Sequence, residues 1–155
     1  MRRRIAVFAL AVGAGLMGAV TPAVADDAVL TATLTGKAEA PGPGDPDASG
    51  TASIFIDDDT NQLCLFLEWS DVDGTLSGLH IHFAPPGSPG PVVVPFATPP
   101  TPSSSTFQCV AVANEALLDN IAANPGQYYI NLHSTPLFPG GAIRGQLRNP
   151  FASSK

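Results

Sequence analysis

Gly50-Thr51-Ala52-Ser53-Ile54-Phe55-Ile56-Asp57 leads through Asp58-Asp59-Thr60 into Asn61-Gln62-Leu63-Cys64-Leu65-Phe66-Leu67-Glu68-Trp69-Ser70. In the second run Leu63, Leu65, Leu67 and Trp69 fall on every other position, the period of a strand that buries one face. Gln62, Cys64, Phe66 and Glu68 take the opposite face. Between the runs, Asp57 to Asn61 supplies residues that accept turn conformations and hydrogen-bond their own backbone, so the two strands form a hairpin. Phe55, Phe66 and Trp69, with Tyr128 and Tyr129 further on, read as core or cross-strand packing residues.

Working outward, the same alternation recurs. Leu30, Ala32 and Leu34 alternate with Thr31, Thr33 and Thr35, and a Pro/Gly-rich loop follows from Ala40 to Ser49. Further strands are expected at 78–84, 91–96, 107–112, 127–133 and 142–148, with the prolines around 91–96 confining that run to an edge. Residues 97–105 are a Pro/Thr/Ser stretch expected to be a mobile loop. One segment has helical spacing, 114–123, with Asn114 as its N-cap and Asn124-Pro125-Gly126 as its stop. The expected fold is all-β: an antiparallel sandwich or barrel of about seven or eight strands with one short helix.

The N-terminus reads differently. Arg2-Arg3-Arg4 precedes an apolar run from Ile5 to Val20 and the small-x-small site Ala23-Val24-Ala25. That is the pattern of a secretory signal peptide over residues 1–25, leaving a single domain at 26–155. The segment carries three of the seven basic residues and none of the thirteen acidic ones, so its removal takes the formal charge from −6 to −9. Such a surface disfavours nucleic acid and anionic membrane as partners, and the expected location is extracellular. Two cysteines, Cys64 and Cys109, in an oxidising compartment point to a disulfide; buried thiols or soft metal ligands are the competing reading.

All three histidines of the chain lie in Gly78-Leu79-His80-Ile81-His82-Phe83 and Leu132-His133-Ser134. Alternation sends Leu79, Ile81 and Phe83 one way and His80 and His82 the other, with alpha carbons about 6 to 7 Å apart. Two imidazoles so placed can close on one ion at roughly 2 Å per bond, and His133, on a face with Tyr129 and Asn131, is the candidate third ligand. Zinc and copper both suit imidazole, and such a site loses its ion as the rings protonate below about pH 6. The competing reading is histidines on a polar sheet face that bond neighbours or water. Ser134 points away from His133, no Gly-x-Ser-x-Gly elbow occurs, and Glu39, Glu68 and Glu115 form no acid/base pair, so no catalytic residues are assigned. Turn chemistry accounts for Asp57-Asp58-Asp59 and Asp71-Val72-Asp73-Gly74; in the second, position 82, where a calcium loop needs glutamate, is histidine.

Leu34-Thr35-Gly36 with Glu39 and Pro41, Gly50-Thr51-Ala52, Asp58 to Cys64, His80-Ile81-His82 with Pro85-Pro86-Gly87 and Gly90 to Val93, Tyr128 to His133, and Phe138 to Leu147 together resemble the CHRD domain, the module named for chordin. The resemblance implies a secreted, non-enzymatic all-β module for extracellular interaction or matrix, with an extracellular protein or cell-envelope component as its unidentified partner. A motif-level resemblance to copper-zinc superoxide dismutase implies the alternative: a mononuclear copper or zinc protein with His80, His82 and His133 as ligands, Arg144 as anion-steering group, and dismutase-like redox activity. No further histidine is present for a bridging imidazolate or a zinc set, so a dinuclear centre is excluded by count.

Overall fold

The computed structural model describes residues 27–152. The signal-peptide assignment at 1–25 lies outside them. Eight strands follow one another: β1 (Ala28–Thr35), β2 (Ser49–Asp57), β3 (Gln62–Ser70), β4 (Thr75–Phe83), β5 (Val92–Phe96), β6 (Ser105–Ala111), β7 (Tyr128–Thr135) and β8 (Phe138–Gln146). Helix α1 (Glu115–Ala123) separates β6 from β7. All strand pairs are antiparallel, in the spatial order β5-β4-β7-β8-β1-β2-β3-β6.

The sheet rolls into a nearly closed barrel whose end strands, β5 and β6, face each other across a seam. Gln108 bridges it: its amide accepts from Ala97 N at 2.9 Å and donates to Ala97 O at 2.9 Å. A side-chain amide thereby supplies the paired donor and acceptor of a missing strand residue.

Inside lie the residues that alternation selected, including Leu30, Ile54, Leu63, Leu65, Leu67, Leu79, Ile81, Ile130 and Leu132. Helix α1 adds Leu118 and Ile121 to the same core. Asn114 precedes it as expected, but its side chain makes no capping bond; its carbonyl accepts from Leu117 N and Leu118 N instead. No helix among the described residues is long and apolar enough to cross a membrane.

Phe66 shares the outward face of β3 with Gln62, Cys64 and Glu68, as alternation requires, and takes a cross-strand position opposite Phe107, itself 64 % exposed; Phe55 is likewise outward, so of the two roles open to these rings theirs is the cross-strand one. Two expectations need correction. Strands β4 and β8 begin earlier than expected, at Thr75 and Phe138, because register shifts at Leu76/Gly78 and Leu132/Ser134 let pairing run past irregular positions. Segment 97–105 is tied down at several points: Thr101 Oγ1 accepts from Leu76 N at 3.0 Å, and Ser104 O from Trp69 N at 2.9 Å.

Cys64 and Cys109 stand directly opposite each other on β3 and β6 and are joined as a disulfide. The bond therefore clips the last strand of the order onto its neighbour.

Candidate metal centre

On β4, Leu79 and Ile81 enter the core and His80 and His82 face outward. Phe83 does not follow Leu79 and Ile81; it is exposed, past the register irregularity between Ile81 and His82 in the β4–β5 pair. Across the β4–β7 ladder Gly78 opposes His133, His80 opposes Asn131 and His82 opposes Tyr129. His133 is thus the diagonal neighbour of His80. Diagonal cross-strand side chains are normally about 7 Å apart at their roots, within reach of rings.

The three rings converge. Centroids lie 5.0 Å apart for His80 and His133, 5.6 Å for His80 and His82, and 6.4 Å for His82 and His133. One ring nitrogen from each falls within 4.8 Å of the others, and no carboxylate or thiolate joins them among the described residues.

Which nitrogens are free follows from the carbonyls around them. His82 Nδ1 lies 2.9 Å from Gly90 O and His133 Nδ1 lies 3.1 Å from Pro139 O. A carbonyl only accepts, so both Nδ1 atoms carry the proton and both Nε2 atoms keep a lone pair. His82 Nε2 is buried and has no hydrogen-bond partner. His133 Nε2 sits 3.2 Å from His80 Nδ1. Backbone carbonyls that fix tautomer and ring orientation are what metal-bound histidines commonly have behind them.

Burial favours the neutral, ligating form of His80 and His133. Burial, together with the neighbouring His133 and His82, pushes His80 down to about 4. Burial also lowers His133, partly offset by its bond to the Pro139 carbonyl. Both are neutral at physiological pH. For His80, proton competition therefore sets in below the value of about pH 6 expected for an ordinary imidazole.

Gly78 makes the convergence sterically feasible. A Cβ there would sit 2.8 Å from His80 Cε1 and 3.4 Å from His133 Cδ2. A strand glycine often marks such a close approach. Gly78→Ala should displace the His80 ring and weaken metal binding at least tenfold, by analogy with lost supporting contacts, with little change in the melting curve. Competition titration and thermal circular dichroism check this; unchanged affinity would remove Gly78 from the site.

Arg144 lies one aromatic ring away from the imidazoles. It is 1 % exposed, its guanidinium carbon is 3.4 Å from the Tyr129 centroid, and Nη1 and Nη2 donate to Ser88 O and Pro85 O at 2.9 and 3.0 Å.

Glu39, which in the sequence belongs to the family pattern but forms no acid/base pair, is buried. Its Oε1 has no partner, and burial raises its carboxyl to about 7 against the pull of Arg144. The folded state then holds a proton that the unfolded chain releases between 4.5 and about 7. This contribution to stability is complete below the lower value and is lost as pH rises through the upper one, by about 3 kcal/mol in all. Glu39→Gln should therefore be more stable than the wild type at pH 8, with the gap closing on acidification. Urea midpoints of both proteins at two pH values measure it; a pH-independent gap would overturn the assignment. His80 acts in the opposite direction, losing stability as pH falls, but equally in both proteins.

Comparison with curated proteins and with solved structures gave no match. The family model of the CHRD domain matches residues 30–147, a span from the first strand to just past the last that includes all three histidines, both cysteines, Glu39 and Arg144. The chain belongs to the CHRD domain family.

Proposed function

We propose that this CHRD-domain protein works outside the cell as a mononuclear metal-binding module that holds one copper or zinc ion on His80, His82 and His133. One observation carries the reading: three imidazole nitrogens lie within 4.8 Å, and the most buried ring keeps Nε2 unpartnered. A buried acceptor without a partner costs roughly 1–3 kcal/mol, and an ion on that nitrogen removes the cost. The signal-peptide pattern and the disulfide support an extracellular setting.

His82 and His133 would ligate through Nε2, and His80 would complete the set. Bound zinc would supply Lewis acidity and bound copper one-electron chemistry. Three protein ligands leave a coordination position for water or another small ligand. Dismutation needs a redox cycle that ligands alone do not establish. Stripping with chelator, reloading with Cu(II) or Zn(II) and measuring metal content should give one ion per chain. A stoichiometry near zero would overturn the reading.

A second reading, an interaction or matrix module, is favoured by the exposed Phe55, Phe66 and Phe107 on the outer face of β2, β3 and β6. Exposed apolar groupings of this kind mark contact surfaces. Pull-down from culture supernatant or cell envelope should lose its captured protein when Phe66 and Phe107 are changed to Ser. Capture that ignores those changes, or none at all, would count against it.

A further inference from the structure

We propose that Arg144 is a positioning residue for the metal centre, holding the His82 ring through Tyr129 on one side and through the Pro85–Gly90 loop on the other; this rests on the metal-binding reading above.

His82 has two restraints. The first is a stack: its ring lies against Tyr129 with centroids 4.7 Å apart and planes 6° from parallel. The guanidinium carbon of Arg144 stands 3.4 Å from the same Tyr129 centroid. Two groups that close cannot share one face, so Tyr129 is clamped between the cation and the imidazole. Strand order agrees, since β7, which carries Tyr129, lies between β4 with His82 and β8 with Arg144. A guanidinium over an aromatic face is favourable, and more so away from water.

The second restraint is the Gly90 carbonyl, which accepts from His82 Nδ1 at 2.9 Å. Gly90 N donates to the Tyr129 hydroxyl at 3.3 Å, so one residue ties the loop to both members of the stack. The loop is packed closely on β4: a Cβ at Gly90 would collide with the Phe83 carbonyl. Arg144 anchors this loop at two more points, Pro85 O at 3.0 Å and Ser88 O at 2.9 Å.

Both paths therefore end at one guanidinium. Its planar fork reaches two carbonyls while its face covers the ring, which an ammonium cannot do. Burying a charge at this depth is unfavourable unless it is well bonded. The position thus has a demanding occupant, and what that occupant holds in place is the one imidazole whose Nε2 is buried and bare.

The test uses the mature protein loaded with Cu(II). Wild type, Arg144→Lys, Arg144→Gln, Tyr129→Leu and the Arg144→Gln/Tyr129→Leu double variant are compared by competition titration and electron paramagnetic resonance. Ile54→Val, a core change on the distant β2, is a control that lowers stability without touching the site. Each single variant should bind copper more weakly, on the order of 10–100-fold as for other outer-shell losses, with a changed copper hyperfine pattern. The double variant should be little worse than Arg144→Gln alone, since loss of the guanidinium already releases both paths, the Tyr129 stack included. Ile54→Val should keep the wild-type spectrum at a lower melting temperature. Where Arg144→Gln does not fold, Arg144→Lys and Tyr129→Leu decide the matter. Folded Lys and Leu variants with wild-type affinity and spectrum overturn the positioning role alone. A wild type that takes up no copper overturns the metal reading and this inference with it.

Discussion

Replacing His80, His82 or His133 by alanine is expected to weaken binding of the loaded ion by about two to three orders of magnitude in each case. Structural sites with four ligands bind zinc with roughly 10–16 kcal/mol, so one ligand is worth on the order of 3 kcal/mol, and each 1.4 kcal/mol is a factor of ten. The three variants should differ in stability. His82→Ala leaves the Gly90 carbonyl without its donor and bares one face of Tyr129, so it should also lower the melting temperature. His80→Ala should not. Its folded ring titrates at about 4, down from 6.5, so this residue leaves stability unchanged above 6.5 and weakens the fold as pH falls from 6.5 through about 4. Removing it should make the apo-protein less sensitive to acid. Competition titrations with thermal melts of the three variants check these points. Equal, small losses of affinity across all three would mean that the histidines do not share an ion.

Much of this arrangement is legible in the sequence. Alternation alone puts Leu63, Leu65, Leu67 and Trp69 on one face of β3, and the same rule places His80 and His82 together. Cys64 and Cys109 pair because each faces outward at the same ladder position. What cannot be read is what lies above the outer face. The Gly90 carbonyl reaches His82 only after the Pro85–Gly90 loop folds back over the sheet, and the Pro139 carbonyl reaches His133 from the start of β8. Glu39, in a loop of glycines and prolines, looks like a solvated carboxylate. It is buried because Gly36 and Gly44 let that loop press against Asp45 and against the Ala142 carbonyl, with no room for a Cβ. Such closeness is set by tertiary packing, and a single sequence marks it only as glycine. Gly78 carried a usable signal of this sort, a glycine inside a strand.

Removing the disulfide, by changing Cys64 and Cys109 to Ser, should destabilise the domain by about 4 kcal/mol, the loop-closure value for its separation of 45 residues. That is a large part of the roughly 5–15 kcal/mol by which domains of this size are stable. The topology explains why this bond is placed to matter. Strand β6 ends the sheet order and pairs with β3 alone; across the seam it is held by the Gln108 side chain. The chain then runs directly into α1, whose Leu118 and Ile121 close the core. Loosening β6 therefore loosens the helix as well. Cys109 is exposed and Cys64 only partly buried, so serine hydroxyls there reach water and the loss reports the cross-link rather than a buried polar group. At about 4 °C per kcal/mol for a domain of this length, the melting temperature should fall by roughly 15 °C. The imidazoles sit on β4 and β7, which pair with each other and not with β6. Below its melting range the variant should therefore bind metal as the wild type does. A melting temperature unchanged within a few degrees would show that β3–β6 pairing holds the seam unaided, and affinity lost in step with the disulfide would tie the metal centre to the far edge of the barrel.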